Sequence, residues 1–339
     1  MDSVSAERLS RRTIVFVNIA HAFDHFVLLI YPTAVIAIAA ERQLDYAALI
    51  GLATGAFVAF GLFSLPMGWI AERVGRRNLL AVFFGGYGLS CLGMSTAGSS
   101  FSLAAWLLLL GVFAAIYHPI GTAMLVTHAR QLGRDLGWNG VWGNIGAAAA
   151  SGITAMIAVA FGWRSAFILP GVVCLAVGVA FMALVPGDGD GAKRSNAASE
   201  VTKAARPLAL LLVFAAAIVA AGLTFNVTTI ALPKVIDERM GLSLPLALTG
   251  WLATAVFVFG ALTQLAIGNL VDRFSLPSIF VGLSALQPIG LGIAATTTGV
   301  PLLIGLSVTM AAIYGQVVVN DALVARYIPA QYRAKAYSV

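Results

Sequence analysis

Long apolar runs, separated by short polar or charged stretches, follow one another along almost the whole chain. A hydrocarbon core of ~30 Å takes ~20 residues of α-helix at ~1.5 Å per residue. Ten runs reach that length, and they predict ten membrane-spanning helices. They fall near Ile14–Ala39, Ala47–Ile70, Asn78–Thr96, Phe101–Thr127, Gly137–Ala160, Trp163–Val185, Pro207–Leu232, Leu246–Leu270, Pro277–Thr296 and Val300–Ala325. Arg8, Arg11 and Arg12 ahead of the first run, with Ala37-Ile-Ala39 inside it, fit a signal peptide. The run is longer than a signal core and carries Asp24 and two histidines, so an uncleaved helix is expected.

One long polar stretch interrupts the pattern: Pro186 to Arg206, rich in Gly, Asp, Ser, Lys and Arg. It reads as a flexible linker at 186–206 that cannot bury a core of its own. It divides a six-helix bundle at 1–185 from a second bundle at 207–339, which holds four helices and the start of another. The halves repeat. Pro32 matches Pro233, Gly68-Trp-Ile-Ala-Glu-Arg73 matches Gly268-Asn-Leu-Val-Asp-Arg273, and Ala114-Ala-Ile-Tyr117 recurs as Ala311-Ala-Ile-Tyr314, all at offsets of 197 to 201. That offset sets Val339 opposite Trp142 and leaves residues 143–185 without a counterpart. A C-terminally truncated chain is expected, with a natural ten-helix variant as the alternative.

Composition agrees with a membrane protein: 60% of residues are hydrophobic and 10% charged, which excludes an ordinary soluble domain. The net charge of +6 does not point to nucleic acid, because the basic residues stand singly or in small groups beside the spans. With the amino end inside, sixteen Lys and Arg fall on the inner side and four outside, namely Arg42, Arg164, Lys234 and Arg239. The positive-inside rule therefore predicts a cytoplasmic N-terminus. Cys91 and Cys174 lie in apolar runs and read as buried thiols. No glycine-rich phosphate loop stands at a strand–helix junction, so neither ATP hydrolysis nor another enzyme activity is expected, and no cofactor.

Gly68 to Leu80 packs Glu72, Arg73, Arg76 and Arg77 into a short loop between two apolar runs. Gly68 suits a close helix approach and Gly75 a turn. The stretch resembles the loop between helices 2 and 3 of the major facilitator superfamily, Gly-x-x-x-Asp-Arg-x-Gly-Arg-Arg, with Glu72 where the family has Asp. The resemblance implies a secondary transporter of two pseudo-symmetric helix bundles, with twelve helices in the family against ten here. It implies that Gly68, Glu72, Arg73, Gly75, Arg76 and Arg77, with Asp272 and Arg273 in the second copy, tie inner helix ends and gate conformational change. The bland alternative is an ordinary positive inner loop.

Polar groups inside the spans are the candidates for chemistry. Asn18, His21, Asp24 and His25 share one helical face, and Asp24 lies ten residues past Ile14, ~15 Å into the bilayer. An ionisable group at mid-bilayer costs roughly 2.5–3.5 kcal/mol on insertion scales and is a functional candidate by default. The fourth run holds Tyr117-His118-Pro119 at a similar depth. His-x-x-Asp with Tyr-His-Pro resembles the fosmidomycin-resistance branch of the superfamily, a group of efflux proteins. In the superfamily helices 1, 4, 7 and 10 line the central cavity. The resemblance therefore implies a substrate cavity with His25, Tyr117, Asn226, Gln316 and Asn320. Proton coupling at Asp24, tuned by His21 and His118, is expected from the depth of the carboxyl group and because no Lys or Arg falls deep in any span to neutralise it. A structural role for the histidines is the competing reading. So is a zinc site of His21, Asp24 and His118, which needs the two helices to converge closely; no metal site is expected.

Glycines at 140, 143, 146 and 152 suit close packing of the fifth helix, although the Gly-Pro element of superfamily antiporters is absent there. The function expected is proton-coupled export of a small molecule. Proton-coupled uptake is the rival, and a non-transporting receptor or scaffold on the same fold is the third reading. The expected partners are the substrate, protons and the lipid bilayer, and the expected setting is a monomer in a bacterial inner membrane.

Overall fold

The computed structural model describes the backbone of residues 3–129, 131–187, 207–241, 243–271 and 273–327. The linker at 188–206 and the gate residue Asp272 lie outside the described residues. Every described element is a helix: α1 Ser3–Leu28, α2 Ile30–Arg42, α3 Tyr46–Gly51, α4 Ala53–Val74, α5 Arg76–Thr96, α6 Ser100–Ala114, α7 Tyr117–His128, α8 Leu132–Phe161 and α9 Ser165–Leu184. The second half adds α10 Pro207–Arg239, α11 Leu246–Val271, α12 Leu276–Thr296 and α13 Gly299–Tyr327. Among the described residues, nine spans are long and apolar enough to cross a membrane, the first running unbroken in sequence from Glu7 to Arg42. Helix α10 stands where the seventh span was expected. The all-helical class read from the sequence is confirmed.

Local sequence explains where helices begin and break. Asp45 accepts from the Ala48 amide at 2.7 Å to start α3, and Ser99 and Ser102 cap α6 reciprocally. Two spans expected to be continuous are interrupted. The first breaks at Leu29 (φ −96°, ψ 2°), where the Leu29 amide is shared between the His25 and Phe26 carbonyls at 3.3 and 3.2 Å. Pro32 explains it, since proline has no N–H for the Leu28 carbonyl and its ring crowds that oxygen. The fourth span breaks at Ala115 and Ile116, four and three residues ahead of Pro119, for the same reason. Both breaks lie within four residues of a candidate polar side chain.

The fold divides into two compact units, residues 1–194 and 195–337. In the first, α1 packs on α7 and α8, α5 on α6 and α9, and α4 on α6. Small residues allow these approaches: a Cβ on Gly146 would strike the Ala22 carbonyl of α1, and one on Gly111 the Ala56 carbonyl of α4. Phe83, Phe84, Tyr87 and Phe181 are fully buried and in ring contact. Leu62, Leu65, Val159 and Val179 point outward from their helices, as lipid-facing positions do. In the second unit α13 packs on α11 and α12, and α10 touches α11 and α13. Gly75 turns the chain with φ +85°, as expected. At Gly68, among the described residues, a Cβ would meet nothing within 4 Å.

Candidate functional site

Three helices of the first unit bring the polar residues of α1 together with partners. Asp24 is 1% exposed. Its Oδ1 accepts a hydrogen bond from the Tyr87 hydroxyl of α5 at 2.9 Å, and its Oδ2 lies 3.4 Å from His118 Nε2 of α7. That second contact has an ion-pair distance without hydrogen-bond geometry, and among the described residues Oδ2 has no hydrogen-bond partner. Among the described residues His118 is the only ion-pair partner of Asp24. His118 itself is about a third exposed, at 34%.

His21 goes elsewhere. Among the described residues it makes no hydrogen bond or ion pair with Asp24. Its Nδ1 sits 2.8 Å from the Asn139 carbonyl of α8, and its ring stacks on Tyr117 with centroids 4.8 Å apart. A carbonyl only accepts, so Nδ1 carries the proton and Nε2 presents a lone pair. That Nε2 is 3.2 Å from Nε2 of His25, one helical turn on. Asn139 is the hub of this second network. Its side chain donates to Asn18 Oδ1 at 2.9 Å and pairs with the Tyr117 hydroxyl at 2.9 Å from Nδ2. Gly143 makes room for the imidazole, since a Cβ there would come within 2.6 Å of His21 Nε2.

The convergence of helices that a metal would need is present, but in a different trio. Ligand atoms of His21, His25 and His118 all lie within 4.8 Å of one another.

Tyr117 is fully buried and stacks on His21. Gln316 faces α12: it accepts from Gln287 at 2.5 Å and donates to Ser284 at 2.7 Å. A buried amide in an apolar bundle must fill its hydrogen bonds, and α12 supplies the partners. Asn226 is exposed on α10 and donates to its own helix, at the Gly222 carbonyl, 2.8 Å away. Asn320 is half-buried on α13. Tyr87 and Asn139 were not picked out from the sequence. Tyr87 lies in an apolar run like any core tyrosine, and Asn139 in a Gly-rich helix start, so neither carried a motif.

At the inner loop, Glu72 is exposed and Arg73 lies 3.4 Å over the Trp69 ring. Arg76 donates to Thr127 of α7 at 3.1 Å. Arg77 donates to the Val185 carbonyl at 2.9 Å and also to that of Met182, capping the C-terminal end of α9. Arg273 is exposed. The other ends carry a matching device. Arg42 donates to the Ala97 carbonyl at 2.5 Å, and Arg239 to the Ala294 carbonyl at 2.7 Å. Both members of the second pair lie 197 residues beyond the first (239 − 42 and 294 − 97), so the repeat extends to a side-chain contact.

Nine apolar spans in the described residues, with buried polar groups set among them, define a multi-pass membrane protein. The sequence matches the Major Facilitator Superfamily profile over residues 14–339, and the chain belongs to that family. It is a transporter and not an enzyme. No curated protein matched the sequence. Among solved structures, it is similar to a bacterial homolog of the human lysosomal transporter Spinster, at 15% identity and TM-score 0.77, over 97% of this chain and 77% of that one. It is similar as well to a mutant of the nucleoside transporter NupG, at 12% identity and TM-score 0.72, over 96% of this chain and 86% of that one. A D-xylose–proton symporter gives 16% identity and TM-score 0.67, over 96% of this chain and 84% of that one. At these identities the likeness is one of fold.

Proposed function

We propose that the chain is a proton-coupled exporter of a small molecule, working by alternating access, with Asp24 as the group that takes up and releases the proton. One observation carries this reading: a carboxylate buried in the middle of a span, held by Tyr87 and His118, with Oδ2 free of hydrogen bonds. A permanent Lys or Arg partner would fix its charge through the cycle. Its partner is instead an imidazole, that of His118, at 3.4 Å. The resemblance of His21-x-x-Asp24 and Tyr117-His118-Pro119 to the fosmidomycin-resistance branch supports export over uptake. On this reading the inner-loop residues Glu72, Arg73, Arg76 and Arg77 serve the switch between states and not substrate contact. The halves at 1–185 and 207–339 act as the two bundles on either side of a cytoplasmic linker.

Flux in proteoliposomes with an imposed pH gradient tests the proposal. Asp24→Asn is expected to abolish proton-driven flux while the protein still inserts and keeps its thermal unfolding midpoint in detergent. Exchange of substrate across the membrane without net proton movement is expected to survive. Normal pH-dependent flux in Asp24→Asn would move the proton site elsewhere and sink the assignment.

A further inference from the structure

We propose that His21, His25 and His118 form a binding site for a divalent transition-metal ion of the zinc type. Of the four histidines in the chain, these three come together, from α1 and α7, with ligand atoms within 4.8 Å of one another. Zinc binds imidazole nitrogen at ~2.0–2.1 Å, so two ligands of a tetrahedral site stand about 3.3 Å apart. Nε2 of His21 and Nε2 of His25 are already 3.2 Å apart, and their i, i+4 spacing sets them on one helical face. Movement of His118 by about an ångström or two, within the reach of a χ rotation, closes the trio.

A second observation points to a ligand. His21 Nδ1 donates to a backbone carbonyl, that of Asn139, which fixes the tautomer with Nε2 as the lone-pair nitrogen. This is the outer-shell arrangement that metal-binding histidines show, where the other ring nitrogen donates to a carbonyl or carboxylate. Stacking on Tyr117 and the absence of a side chain at Gly143 hold the ring in that pose. With His21 Nε2 unprotonated, the proton between the two rings belongs to His25 Nε2. A metal ion takes that place, and the His25 proton moves to Nδ1, so no proton need leave the site.

Charge and donor type select the ion. The trio is neutral when unprotonated, and Asp24 supplies one negative charge at 3.4 Å from His118. Three imidazoles suit zinc, cobalt, nickel or copper and not magnesium or calcium, which take oxygen ligands. All three histidines are partly exposed.

The test is direct binding of metal to the purified full chain in detergent, free of any affinity tag. Equilibrium dialysis against micromolar zinc is expected to give one ion per chain, with no uptake of magnesium. Cobalt is expected to give the visible absorption bands of a tetrahedral nitrogen site. His25→Gln and His118→Gln should each weaken zinc binding at least tenfold, whereas His128→Gln, outside the trio, should not change it. Unfolding midpoints of the variants report whether each is folded. Less than a tenth of an ion bound per wild-type chain would overturn the proposal. So would zinc affinity that stays the same in folded His25→Gln and His118→Gln. Because the readout is binding and not flux, either result is separate from the fate of the proton reading tested through Asp24.

Discussion

At the scale of single residues, the site rests on two linked but separable networks. One ends on a carboxylate: Tyr87, Asp24 and His118. The other runs through Asn139 to Asn18, Tyr117 and His21, and meets the first where the rings of His21 and Tyr117 approach His118. The i, i+3, i+6, i+7 spacing on α1 was enough to place the polar residues of that helix on one face. It could not say which partner each would find, because partners on α5 and α8 are fixed by tertiary packing. The glycines of α8 show the same limit. Gly140 and Gly143 look alike in sequence, yet a Cβ at Gly140 would meet nothing within 4 Å and one at Gly143 would strike His21. Gly143→Ala is therefore expected to displace His21 from Asn139 and lower transport at least about tenfold, a loss of about 1.4 kcal/mol. Gly140→Ala should stay within about twofold of the parent, since a surface change away from special features alters little. Initial flux rates for the two variants check this. Equal losses, or a larger loss at Gly140, would mean that His21 placement does not limit transport.

At the scale of elements, the apolar runs dictated helices: ten spans were expected, and nine in the described residues are long and apolar enough to cross a membrane, since in lipid the backbone has no other way to bond itself. The breaks inside two of those helices were equally present in the sequence, as Pro32 and Pro119, but a hydropathy pattern is blind to them. Each interruption falls beside a functional candidate, with Leu29 four residues after His25 and Ile116 just ahead of Tyr117 and His118. Pro119 stands in the first turn of α7, where its missing N–H costs least, and the chain breaks just ahead of it. Pro119→Ala should rejoin α6 and α7 and raise the unfolding midpoint in detergent. The same variant should lose flux, because His118 then follows a straight helix away from Asp24. A stabilised protein with undiminished flux would show that the break does not serve the site. Arg42 and Arg239 illustrate a signal that was legible and passed over. They stand at the repeat offset like the three motif pairs, but a lone arginine at a helix end looks like an interfacial anchor until its carbonyl partner is known.

At the scale of the whole molecule, orientation in the bilayer follows from charge and not from packing. Helices of either topology would bury the same residues, so the fold alone cannot choose. The sixteen-to-four asymmetry of Lys and Arg predicts an inside amino end, because positive loops are retained on the cytoplasmic side during insertion. The rule acts on loops near span ends, and both the Gly68 to Leu80 loop and the stretch beyond α9 meet that condition. Native thiols do not interfere with labelling, since Cys91 and Cys174 are both free and buried. Single cysteines at two positions then report the sides. Ser99, exposed between α5 and α6, falls outside when the amino end is inside, and Ser195, in the linker, falls inside. In sealed cells Ser99→Cys is expected to react readily with a membrane-impermeant thiol reagent, and Ser195→Cys only after the membrane is opened. Permeabilised cells supply the control that both positions can react at all. The reverse pattern would invert the molecule, turn the Arg76 and Arg77 contacts to the outer face, and exchange the sides from which Asp24 would take up and release its proton.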